Sequence, residues 1–156
     1  MKRVAIIGLI GLITTSCEDQ VHVDIRDPAL GAYSYQMKVY EMTATGLLHM
    51  SDADLSGHFE VVKGPDEHAI DAKEGAFVAF SGVNTQKGPD GFTFDVKDQT
   101  GMAGDSEILL KGYDGISHAG GVCQGLYSSR EQTITVNFIF TLRRSDFLVE
   151  VTGVRP

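Results

Sequence analysis

Tryptophan is absent from the chain, cysteine occurs twice, and basic residues are outnumbered, 13 Lys and Arg against 21 Asp and Glu in 156 residues. The shortage of positive charge, a formal net charge of −8, excludes a protein that grips nucleic acid through a basic face. Long apolar runs are missing too. The longest, Val4 to Ile13, has ten residues interrupted by Gly8 and Gly11, where a membrane-spanning helix needs about 20. Catalytic signatures are equally scarce. There is no Gly-x-Ser-x-Gly elbow, no phosphate-cradling loop and no His-Glu-x-x-His. What remains is 42% hydrophobic and 22% charged, enough apolar material for one globular domain of ordinary size.

The first residues form an address. Met1-Lys2-Arg3 is basic, the apolar run follows, and Thr14-Thr15-Ser16-Cys17 closes it with small residues. That order predicts a secretory signal over residues 1–16, outside the fold. The position of Cys17 resembles a bacterial lipoprotein signal, with Thr14 where that family has Leu. The resemblance implies acylation of Cys17, which would become the mature N-terminus. Glu18-Asp19-Gln20 is similar to the short acidic tract of surface-exposed lipoproteins of the Bacteroidota type. Removing the signal and its two basic charges leaves 140 residues with 11 basic against 21 acidic side chains, a charge of −10. Anionic headgroups repel such a domain, so a lipid on Cys17 would have to hold it at a membrane. Cys123 is then a lone thiol; with ordinary cleavage the two cysteines could instead pair.

Residues 17–30 are polar, with one Pro, and are expected to be a tether. Beyond Gly31 the dominant pattern is alternation with a period of two. Tyr33, Tyr35, Met37 and Val39 share one face; so do Phe59 and Val61, then Phe92, Phe94 and Val96, then Ile108 and Leu110. Ala76 to Phe80 and Val122 to Tyr127 add shorter runs. The clearest strand is Thr133 to Leu142, with Ile134, Val136, Phe138 and Phe140 on one side, returning after Arg143 to Asp146 as a hairpin. Turns are marked by Gly64-Pro65-Asp66, Gly88-Pro89-Asp90-Gly91, Asp114-Gly115 and Gly120-Gly121. Glu67 to Glu74 is the one helical candidate, and a strand around Ile70 is its rival. Seven to nine strands in one domain predict an all-β fold over residues 31–156. Consecutive hairpins favour a single antiparallel up-and-down barrel of about eight strands, because closure removes edges; a β-sandwich is the alternative.

Gly31-Ala32-Tyr33 opens the first strand and Arg155 ends the last. These residues resemble the lipocalin or calycin-like barrels, where Gly-x-Trp opens the first strand and an Arg near the C-terminus packs on the Trp; here Tyr33 stands for Trp. The resemblance implies barrel closure through Gly31, Tyr33 and Arg155, and a pocket for a small apolar molecule or lipid. Three other patterns fall short of a site. Asp52, Asp54, Ser56 and Glu60 have the spacing of a calcium loop, with Lys63 where its last ligand belongs. His49, His58 and His68 are spread too widely for an ordinary zinc site. Gly104-Asp105-Ser106 resembles the nucleophile block of an esterase family, but that family has an α/β fold, and the Asp-x-x-His it needs near its C-terminus occurs here only at Asp19 to His22. The expectation is therefore a lipid-anchored envelope protein, at the outer membrane or cell surface. It is no enzyme and has no cofactor. It binds a small apolar ligand, or serves as a protein-interaction module or accessory subunit through Gly-rich loops at 82–91 and 112–121.

Overall fold

A computed structural model describes residues 23–73, 80–114 and 124–156. Cys17 and Cys123, and with them the signal and lipidation expectations, lie outside these residues, as does most of the Gly-rich stretch 112–121.

The alternating sequence folds as alternation requires. Among the described residues eleven strands are joined by antiparallel pairings: β1 (Gly31–Thr43), β2 (Gly46–His49), β3 (Leu55–Lys63), β4 (Ile70–Lys73), β5 (Phe80–Gly88), β6 (Gly91–Val96), β7 (Gln99–Ala103), β8 (Ser106–Gly112), β9 (Gly125–Ser128), β10 (Thr133–Leu142) and β11 (Ser145–Val154). Eight of them, β1-β3-β4-β5-β6-β9-β10-β11, close into a ring in chain order, a single up-and-down barrel. Nine residue pairs, from Ser34↔Val154 to Met42↔Asp146, seal β1 to β11. That seam rules out the open sandwich.

The apolar faces point inward. Tyr33, Tyr35, Met37 and Val39 of β1 and Ile134, Val136, Phe138 and Phe140 of β10 are all buried in one core, while Ala32, Ser34, Gln36 and Lys38 are exposed. This polarity is the reverse of a membrane-spanning barrel, whose outer band is apolar.

Two hairpins stand outside the ring. β2 extends β1 through Tyr40↔His49 to Thr43↔Gly46. The β7–β8 hairpin turns at Gly104-Asp105, and β8 continues the line of β9 along β10. β9 pairs with Thr133 to Val136, and β8 with Phe138 and Ile139. Between them the Tyr113 amide donates to the Asn137 carbonyl, and the Asn137 amide donates to the Gln124 carbonyl. β8 and β9 thus act together as one wall strand along β10.

Two open alternatives are decided and two expectations corrected. Of the two readings of Glu67 to Glu74, the strand around Ile70 is the one found: as far as the stretch is described it is a turn and strand β4, Ile70 and Ala72 fill the core between β3 and β5, and burial outweighs helix propensity. The binding loop expected at 82–91 is strand β5 with a two-residue Pro89-Asp90 turn, kinked by an irregularity between Val83 and Gln86. From Asp24 on, the expected tether is part of the barrel body. Arg26 is buried and donates to the carbonyls of Asp66 (2.5 Å) and Ala69 (2.9 Å). The calcium loop is a short 3-10 turn, Ser51–Ala53, running into β3. Ser56 and Glu60 are four residues apart on that strand, about 13 Å, and cannot converge on one ion.

Candidate functional site

One end of the barrel is closed by aromatic packing. Tyr33 stacks on Phe59 with ring centroids 5.5 Å apart, Phe80 stacks on Phe94 at 5.7 Å, and Phe92 tilts against Tyr127 at 5.3 Å. The 3-10 turn Asp27–Ala29 lies against this layer. The Tyr33 hydroxyl donates to the Ala29 carbonyl (2.8 Å) and the Tyr127 hydroxyl to the Pro28 carbonyl (2.7 Å). Both phenols thereby keep a partner away from water. Lys63 clamps the entry segment from outside, bridging Asp24 (2.9 Å) and Asp27 (2.7 Å). The Arg26 guanidinium on Asp24, assisted by Lys63, holds that carboxyl well below the usual carboxylate range against the opposing effect of burial.

Gly31, Tyr33 and Arg155 come together at this end. The Arg155 guanidinium carbon lies 5.4 Å from the centre of the Tyr33 ring, within cation–π range. It donates to the Gln132 side-chain oxygen (3.0 Å) and to the Leu30 carbonyl, tying the last residues to the first strand's entry. Gly31 has φ +127°, a conformation open to glycine, while the nearest atom to a side chain there would be an Arg155 nitrogen at an ordinary 3.7 Å. Glycine is thus required at Gly31 by backbone conformation and not by space. The roles of Arg26 and Gln132 had no sequence signal, since Arg26 docks on backbone carbonyls about 40 residues away, beyond its local pair with Asp24, and Gln132 meets an end residue distant in the chain.

The other end holds a cavity of about 680 Å³. Its walls are the inward residues of the upper strands: Met37 and Val39, Val149 and Val151, Phe138 and Phe140. The facing side is the β7–β8 hairpin, with Gln99, Gly101, Ala103, Ile108 and Leu110. Pairing between β8 and β10 stops after Ile139↔Lys111, so the tip of the hairpin is free of the wall and space opens between them. Leu55 and Met102 sit at the rim, 39% and 51% exposed. Such a volume falls in the range of small-molecule sites.

The remaining sequence candidates do not assemble. His49 contacts the Asp54 carboxylate (2.9 Å), His58 the Ser34 hydroxyl (3.2 Å) and His68 the neighbouring Glu67 (3.4 Å), each in a separate pair. Among the described residues no three His, Cys, Asp or Glu side chains gather as a metal site. Gly104-Asp105-Ser106 is the turn of the β7–β8 hairpin, with Gly104 at φ +59°. No family model matches the chain, and neither the curated proteins nor the solved structures give a match.

Proposed function

We propose that this is a lipid-anchored protein of the cell envelope, at the outer membrane or cell surface, whose lipocalin-like barrel binds a small apolar molecule or lipid and performs no catalysis. The observation that carries the reading is the apolar cavity, open at one end of a barrel whose other end is plugged by aromatics and Arg155. A protein that only needed stability would fill that volume, since cavities cost stability. The polar outer face and the charge of −8 leave lipid on Cys17 as the means of attachment.

Two measurements test the reading. Cys17→Ser should move the protein from the membrane fraction to the soluble fraction, and a variant that survives a high-salt wash on the membrane refutes the anchor. Native mass spectrometry of the protein taken gently from its source should reveal a retained apolar molecule, and fluorescent apolar probes should be taken up with saturation; failure of both removes the binder.

A protein-interaction module is the second reading, favoured by the exposed Leu47, Leu48, Met102 and Leu109 on the two accessory hairpins. It requires a partner that co-purifies from membranes in fixed ratio and is released by Leu48→Asp or Met102→Asp.

A further inference from the structure

The lining of the cavity specifies the ligand more narrowly than its size does. Gln99 is the one polar side chain among the described lining residues, and none of them is charged. Arg155, half-buried, lies on Tyr33 at the closed end, and the buried Arg26 is held by Asp24 and two carbonyls, so both are engaged away from the cavity. Against these described walls a carboxylate or ammonium would lose its hydration with no opposite charge to replace it, a far larger cost than for a hydroxyl. Gln99 sits opposite Leu110, four residues or about 13 Å from the turn-end residue Ala103, so it marks the base of the hairpin and not its tip. Its amide both donates and accepts, which suits a hydroxyl or a carbonyl.

We propose that the cavity takes an uncharged, chiefly aliphatic ligand with a single hydroxyl or carbonyl head, which meets the Gln99 amide at the base of the β7–β8 hairpin while the tail lies toward the apolar rim. The inference rests on the binder reading above. The purified chain, loaded with the neutral fluorescent probe N-phenyl-1-naphthylamine, is titrated at neutral pH with 1-dodecanol, dodecanoate or dodecylammonium. Dodecanol should displace the probe at a concentration about tenfold or more below that of either ion, because only the ions carry an uncompensated charge inward. Gln99→Leu should weaken dodecanol several-fold, and Gln99→Arg should shift the order toward dodecanoate. Circular dichroism checks the fold of both variants, and the comparison of the three competitors on the unaltered chain needs neither. Dodecanoate or dodecylammonium matching dodecanol overturns the neutral-ligand inference and leaves the binder standing. Undiminished displacement by dodecanol in folded Gln99→Leu, together with an unchanged order in folded Gln99→Arg, overturns the role of Gln99. No uptake of the probe and no thermal shift with any competitor overturns the binder itself.

Discussion

Tyr33 is completely buried, yet its phenol has everything a phenol needs: a carbonyl acceptor, an aromatic neighbour and a guanidinium over its face. Burial pushes its pKa up to about 12 from the ordinary 10; the nearby Arg155 pulls the other way and Tyr127 adds to the rise. A raised folded-state value means that the neutral phenol contributes its full stability below pH 10, and that the contribution is lost as pH rises from there through about 12. The denaturant midpoint should therefore fall steeply over that window. Tyr33→Phe should flatten the alkaline fall, and at neutral pH it should cost about 1–3 kcal/mol by leaving the Ala29 carbonyl without its donor. Equal alkaline slopes in the two proteins, measured by urea unfolding at a series of pH values, would show that other groups carry the effect.

Strand and turn choices follow a similar logic. The β10–β11 hairpin is closed by two residues alone, Arg143 at φ +51° and Arg144 at φ +76°. Positive φ at both positions fits the right-handed twist of the strands but suits Asn-Gly far better than Arg-Arg. Arg143→Asn with Arg144→Gly should thus raise stability by about 1 kcal/mol, seen as a higher Tm; a lower Tm would mean that the arginines make contacts worth more than the strain. Within β10, Phe138 is buried and lines the cavity, whereas Thr135 faces outward between Leu126 and Thr152. Phe138→Ala should cost about 3 kcal/mol, the lower part of the usual range because space beside the ring is already open, and Thr135→Ala should stay within about 0.5 kcal/mol. Chemical denaturation that gave equal losses would mean that both faces of the strand are packed. On β6, Phe94 lies flat over strands on either side that carry glycine: an added side-chain carbon would stand 2.5 Å from the ring at Gly82 and 2.1 Å at Gly125.

At the scale of the molecule, the barrel is divided into a sealed half and an open half. Aromatics, the entry turn and Arg155 close one; the accessory hairpin and the upper β1–β11–β10 wall enclose the cavity in the other. Any ligand that binds only the folded state must stabilise it by mass action. A neutral long-chain alcohol at about a hundred times its Kd should add about 2.7 kcal/mol, so that Tm rises continuously with ligand concentration. A Tm indifferent to the alcohol, followed by scanning calorimetry, would count against occupancy of the cavity.

The all-β class and the inward set of β1, β3, β6, β10 and β11 were legible in the sequence because alternation with a period of two leaves one arrangement that buries the apolar residues together. Gly31 and Arg155 were legible as a closing pair through a resemblance, and Tyr33 by its place on an apolar face. Strands β2 and β7 were not legible, Gln99–Ala103 having no alternation at all, and β4 was legible only as one of two readings, because Ile70–Lys73 is too short to exclude a helix. Those short segments become strands only because neighbouring edges offer them hydrogen bonds. Closure of the ring, the docking of Arg26 and the space beside Gln99 depend on which distant residues meet, and that is decided in three dimensions by packing around the barrel, where local periodicity carries no information.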